Sequence, residues 1–159
     1  MWDRLLLAID QSASARAALS LAAGLATSSR SGVVVLHVRE RSPYLRVPPL
    51  ETMHDAWQLV EDAVEELGSD GIDACPVVYS AVEHQVAGVI VREAATWSAG
   101  AIVLGTTRQR GLRRINGGGV RERVVRSSPL PVLLAPPPLQ CRARMPARHD
   151  RDHQSVDHR

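Results

Sequence analysis

No lysine occurs among the 159 residues; all 19 basic side chains are arginine. That absence excludes a phosphate-loop lysine, a Schiff-base lysine and a serine–lysine dyad. Phenylalanine is also missing, and the aromatics are Trp2, Trp57, Trp97, Tyr44 and Tyr79. A core must then be built from Val, Leu, Ile and Ala, which suits a buried parallel sheet. So few rings also leave no interleaved stacking platform for single-stranded nucleic acid. Cysteine is limited to Cys75 and Cys141, far apart and without a CxxC pair, which argues against a disulfide framework and a thiolate metal centre. Cys75 falls in an apolar stretch, where a buried free thiol is expected. Long apolar runs are absent near the start: Leu5 to Ile9 is followed by Asp10, too short a stretch for a signal peptide or a membrane span. A cytoplasmic protein is expected.

The formal net charge is +2. Residues 140–159 hold five Arg and three Asp, so that stretch accounts for the whole excess and the rest is balanced. Charge is nonetheless segregated along the chain. Residues 51–73 hold eight carboxylates, and residues 108–126 hold seven Arg against one Glu. Without a net positive body, the sequence does not support a nucleic-acid partner.

What is present is an alternation of short apolar runs with helical patterns. Leu5–Ile9, Val33–Val38, Ile72–Tyr79, Ala101–Leu104 and Leu130–Ala135 read as strands, the third with Pro76 pointing to an edge or a bulge. Between the first two, Ala15, Ala18, Leu19, Ala22, Leu25 and Ala26 fall at helical spacing, with Ser12 or Ser14 as the expected cap. Met53, Trp57, Val60, Val64 and Leu67 form a second helical stripe closed by Gly68 and Gly71. Val86, Ile90, Ala94 and Trp97 mark a third, and a short helix runs from a Gly119 cap through Arg126. Strand–helix alternation implies an α/β fold with a parallel sheet and right-handed crossovers. Arg39 to Leu50 holds three prolines and reads as a loop. After Pro136 the chain turns to Pro, Arg, His, Asp, Gln and Ser; too little of it is apolar to offset its ordering entropy. Residues 1–136 are therefore expected to form the domain and residues 137–159 a disordered Arg/His-rich tail. The histidines His149, His153 and His158 within it read as solvated residues, and His37 in the second strand as a packed core histidine.

Several segments resemble the universal stress protein family: LLLAIDQSASARAAL at 5–19, VVVLHV at 33–38, AGAIVLGT at 99–106 and GLRRINGGGVRERVVRSSPLPVLLA at 111–135. The last is the most specific. The resemblance implies a three-layer α/β/α sandwich of the adenine nucleotide α-hydrolase type, with a five-stranded parallel sheet in the order 3-2-1-4-5. It also implies an adenine-nucleotide site. For that strand order the crevice opens between strands one and four, at their carboxyl ends. Ala8 and Val38 match backbone positions that receive adenine. Asp10 matches the family's acidic residue, which would hold a ribose hydroxyl or, through a divalent metal that arrives with the nucleotide, the phosphates; an Asp that merely turns the chain into the first helix fits equally. Gly105 and Thr106 close the fourth strand. The family's next glycine is replaced by Arg108, its third is kept as Gly118, and its Ser or Thr is replaced by Gly119; Gly119 and Val120 still offer backbone N–H groups at a helix N-terminus.

Two of these four signature positions are altered. A lost hydroxyl costs roughly 1.5–3 kcal/mol of hydrogen bonding to a charged group, and a side chain forced into a left-handed glycine position costs about 1–2 kcal/mol. Weak or absent ATP binding is therefore expected, with Arg108 either blocking the phosphates or clamping them in bidentate fashion. Beyond Asp10 nothing reads as a general base, so the expectation is a non-enzymatic stress-response regulator. An ATP-binding protein with Arg108 as clamp, and a nucleotide hydrolase of the same fold, are the alternatives. The family commonly dimerises by pairing its fifth strand with a two-fold mate, and Val132, Leu133 and Leu134 match that strand, so a homodimer through 130–135 is expected.

Overall fold

Leu5, Leu6 and Leu7 are all fully buried. Successive side chains of a strand point to opposite faces, so three buried in a row require apolar cover on both sides of the sheet. The computed structural model describes residues 2–41, 51–106 and 119–136. In chain order the elements are β1 (Arg4–Ile9), α1 (Ser14–Ser29), β2 (Gly32–Arg41), α2 (Met53–Ser69), β3 (Ala74–Val82), a 3-10 turn (Glu83–Gln85), α3 (Val86–Thr96), β4 (Ala101–Gly105), α4 (Val120–Ser127) and β5 (Val132–Ala135). Every pairing is parallel, and the five strands lie in the order β3-β2-β1-β4-β5. This is the order that the resemblance implied.

The two cores follow from strand parity. Leu5, Leu7, Ile9, Val33 and Val35 face α1 and α2, meeting Ala18, Ala22, Val60 and Leu67. Leu6, Val34, Leu36 and Val38 face α3 and α4, meeting Val86, Ile90, Ala94 and Val124. Each fully buried Leu or Val contributes roughly 1.5–3 kcal/mol. With so few aromatics, close packing of alanine-rich helices onto branched strand residues supplies the density.

Helix termini depart from the sequence reading in informative ways. The cap residue of α1 is Ala13, with no side-chain cap; Ser12 and Ser14 serve Asp10 and each other instead. The start of α2 carries a reciprocal capping box, which the apolar stripe does not reveal: the Asp55 N–H donates to Thr52 Oγ1 at 3.1 Å and the Thr52 N–H to Asp55 Oδ2 at 3.0 Å. Its C-terminus is a Schellman motif, with Gly71 left-handed at φ 74° and the Ile72 N–H reaching back to the Leu67 carbonyl at 3.0 Å. Ile72 is thereby committed to the helix end, so β3 starts at Ala74 and runs on to Val82. The second strand likewise continues past Val38 to Arg41, because β3 pairs with it along that whole length.

Pro76 fits the edge position expected for it. Val33 donates to the Asp73 carbonyl, which fixes odd-numbered residues of β3 as the ones facing β2. Pro76 is even-numbered, so its missing N–H falls on the free side and costs no ladder bond. No helix among the described residues is long and apolar enough to cross a membrane. The expected tail, 137–159, lies outside the described residues.

Candidate functional site

The crevice sits at the carboxyl ends of β1 and β4, which pair directly through Ala8 and Leu104. Two residues further along, the chain reaches Asp10 on one side and, through Gly105, Thr106 on the other. The order β3-β2-β1-β4-β5 reverses direction at this point, the place where an open α/β sheet leaves a cleft for a ligand.

On the β1 side, polar side chains form a connected run. Asp10 is exposed, and its Oδ1 accepts from the Ser12 N–H at 3.0 Å and from the Ser12 hydroxyl at 2.5 Å. The Ser12 hydroxyl is also 2.8 Å from that of Ser14, which is buried. These bonds orient Asp10 without neutralising it, and no side-chain bond to its second oxygen occurs among the described residues. Ala8 and Val38 lie on the same sheet face, both packed toward α3 and α4. That brings together the two positions matched to adenine, as half-buried and buried aliphatic groups respectively.

On the β4 side the backbone is close and bare. A Cβ placed on Gly105 would lie 2.6 Å from the Ser14 carbonyl oxygen and 2.7 Å from its hydroxyl. Glycine at 105 is thus the condition for β4 to run onto the first turn of α1. Its backbone is not left-handed, since Gly71 is the positive-φ glycine among the described residues. Thr106 is tied to β5: its N–H and hydroxyl both donate to the Ala135 carbonyl, at 3.0 and 2.6 Å.

Helix α4 connects β4 to β5 and therefore runs antiparallel to both, placing its N-terminus at the crevice end of the sheet. Gly119 caps it with an extended backbone and no side-chain bond. Its carbonyl accepts from Arg123 N–H at 3.2 Å. Glu122 curls back over this end: its Oε2 would be 2.9 Å from a Cβ on Gly119. Val120 packs against the second core. Arg108 and Gly118 lie outside the described residues.

A polar cluster at the rim carries a partner that strand periodicity did not indicate. His37 is buried, as expected of a core histidine, but it is not simply packed. Its Nδ1 lies 2.9 Å from the Ile9 carbonyl, and its Nε2 lies 2.8 and 3.0 Å from the two Glu51 carboxylate oxygens. Gln11 Nε2 donates to the same carboxylate at 2.9 Å, and the Arg39 guanidinium donates to the Glu51 carbonyl at 3.2 Å. The first carboxylate of the acidic run thus fastens the start of α2 to β1 and β2. The sequence signal was only a polar residue inside an apolar strand; its partner lies beyond a proline-bearing loop.

No group of three His, Cys, Asp or Glu side chains that could hold a metal ion occurs among the described residues. Cys75 is free and half-buried rather than buried as expected, and desolvation pushes its thiol above the ordinary value of 9.0, which makes it a poor nucleophile.

Known proteins share both the fold and the sequence pattern. A universal stress protein of Methanocaldococcus jannaschii is 26% identical over 147 residues, covering 87% of this chain and 84% of its own length. A solved Archaeoglobus fulgidus universal stress protein has a TM-score of 0.65 at 21% identity; the match covers 85% of this chain but only 44% of that longer one. A second structure from Archaeoglobus fulgidus, a universal stress protein in complex with dAMP, has a TM-score of 0.63 at 23% identity, covering 82% of this chain and 95% of that one. Residues 1–136 match the profile of the Universal stress protein family, the span that carries every strand, helix and crevice residue described above, and the chain belongs to that family.

Proposed function

We propose that this protein is a non-catalytic, dimeric cytoplasmic stress-response regulator whose crevice accepts an adenine nucleotide weakly, with ATP poorly held. The observation that carries this reading is the state of the crevice's hydroxyls. Those of Ser12 and Thr106 are already bonded to protein oxygens, and position 119 has none. A triphosphate would then meet mainly backbone N–H groups at the N-terminus of α4, where the helix dipole contributes about 0.3–1 kcal/mol. The Glu122 carboxylate shares that end and opposes a further anion. The bound dAMP of the Archaeoglobus relative makes a nucleotide with one phosphate a reasonable ligand class here. A divalent metal would enter only with the nucleotide's phosphates.

Against catalysis stands the engagement of each candidate base: Asp10 Oδ1 is occupied by Ser12, and His37 is buried between the Ile9 carbonyl and Glu51. Assembly through β5 is supported by the exposed Val125 and Leu134, which line a shallow depression of about 370 Å³ with Arg121, Glu122 and Arg126 beside the sheet edge. Apolar residues rimmed by charge at a strand edge are a common pattern for association. The test is mass spectrometry of small molecules released from protein purified without added nucleotide. The expected result is little or no ATP; a stoichiometric ATP complex would overturn weak binding.

A further inference from the structure

Both ring nitrogens of His37 face oxygens that accept hydrogen bonds. Nδ1 lies 2.9 Å from the Ile9 carbonyl, and Nε2 lies 2.8 and 3.0 Å from the two Glu51 carboxylate oxygens. A carbonyl only accepts, so Nδ1 carries a hydrogen. A neutral imidazole has a single N–H; with that hydrogen on Nδ1, the Nε2 lone pair would point at the carboxylate. The contact therefore needs a second proton. The Glu51 carboxylate also accepts from Gln11 Nε2, and the Arg39 cation stands at its carbonyl. Both favour an ionised carboxylate, which places the proton on the ring. The His37 and Glu51 side chains are only 6% and 12% exposed, so water is a poor substitute for a lost partner.

The ionisable groups bonded into this cluster, among the described residues, are Glu51 from the lead-in to α2 and Arg39 from β2 itself. The first strand brings the Ile9 carbonyl and the neutral Gln11 beyond it, and β3 brings Val78, the register partner of His37. Asp10 is engaged by Ser12, and on the first turn of α2 Asp55 is engaged by Thr52 while His54 is exposed.

The cluster joins three segments. Ile9 and Gln11 flank Asp10 at the end of β1, His37 belongs to β2, and Glu51 directly precedes Thr52, the cap of α2. We propose that the extra proton makes this cluster a pH-operated latch, which fastens the start of α2 to the ends of β1 and β2 and releases it at alkaline pH. Without the proton, the ring keeps its Nδ1 bond to Ile9, Nε2 and Glu51 repel, and Glu51 turns out to water and takes Gln11 with it. A bond that needs a bound proton is present at low pH and lost as pH rises. Release stays local, because Val60 and Leu67 hold the rest of α2 in the core. It reaches the wall of the crevice that carries Asp10, through the neighbouring Gln11. The latch follows from hydrogen positions within the chain and holds whether or not a nucleotide binds.

The test is nitrogen-15 NMR of the full chain without nucleotide, at about pH 6 and about pH 9, so that the range in which histidine titrates is crossed. The His37 ring, assigned with His37→Gln, should carry protons on both nitrogens at the lower value and on Nδ1 alone at the higher. Amide exchange at Ala56 and Trp57, corrected for its intrinsic pH dependence, should show protection falling about tenfold or more over the same interval. Glu51→Gln sharpens the test. Its carboxamide N–H can donate to Nε2 of a neutral ring while Nδ1 still donates to Ile9, so this variant should keep its protection at the higher pH. Four results would overturn the proposal: a ring with one proton at the lower pH, a ring with two at the higher, native protection that does not change, or a folded Glu51→Gln chain that loses protection as the native one does. Should Glu51→Gln fail to fold, the ring and exchange measurements on the native chain decide the matter.

Discussion

The two walls of the crevice are built on different principles. The wall from β1, β2 and the start of α2 is held by side chains: Asp10 with Ser12, Ser12 with Ser14, and His37 with Glu51 and Gln11. The wall from β4 and α4 is held by the absence of side chains, at Gly105 against Ser14 and at Gly119 beneath Glu122. The first is held by bonds within the protein, which leave the second Asp10 oxygen without a side-chain bond among the described residues. The second offers close backbone approach and, among the described residues, the N–H groups at the start of α4.

The largest expected effect breaks the bare wall. Gly105→Ala drives a Cβ into the Ser14 backbone, an obstacle that no rotamer relieves. We expect a loss of about 3 kcal/mol, read as a lower urea midpoint with an unchanged m value. An unchanged midpoint would show that the β4–α1 approach is looser than described.

The next effect is on the polar wall. Glu51→Ala strips the buried His37 Nε2 of its partner and frees the start of α2. A loss of about 2 kcal/mol is expected, again by urea unfolding, and the double variant with His37→Ala should lose less than the sum of the two single changes.

Gly119→Ser adds a hydroxyl at the N-terminus of α4, where the cap residue has no side chain. A serine at this cap can accept the Glu122 N–H, with the flexible Glu122 carboxylate moving aside. The stability gain should be a few tenths of a kcal/mol, resolvable as a small rise in thermal midpoint.

The smallest effect is a pH dependence on the polar wall. Hydrogen bonds from the Thr52 hydroxyl, and then from its backbone N–H, hold the Asp55 carboxyl below its ordinary 3.8. A lowered folded-state value stabilises the fold above the unfolded value and the stabilisation is lost as pH falls through the folded one. Asp55→Asn should therefore flatten the acid limb of the stability profile below about pH 4, with a modest change near neutrality.

Much of this was legible in the residues themselves. Five apolar runs separated by helical stripes gave the parallel sheet, and the segment 111–135 gave the family and with it the strand order. The boundaries that slipped did so for tertiary reasons. Arg39, Glu40 and Arg41 look like loop residues, yet they remain strand because β3 pairs with them. Ile72 looks like strand, yet its N–H is spent on the end of α2. The site was legible by position but not by role. Gly105 reads in the sequence as a signature glycine closing the fourth strand, and the structure adds its close approach to Ser14 from a distant segment. Glu51 was one carboxylate among eight, and only folding selected it as the partner of His37.

We propose that the crevice grips a triphosphate weakly because Arg108 and Gly119 stand where the family pattern has a glycine and a hydroxyl. Isothermal calorimetry of ATP, on the native chain and on the Arg108→Gly/Gly119→Ser variant, tests it most directly. The expected native dissociation constant is about 1 mM or weaker, with a gain of roughly a hundredfold in the double variant. Tight native binding that is lost on Arg108→Ala would contradict it and make Arg108 the phosphate clamp.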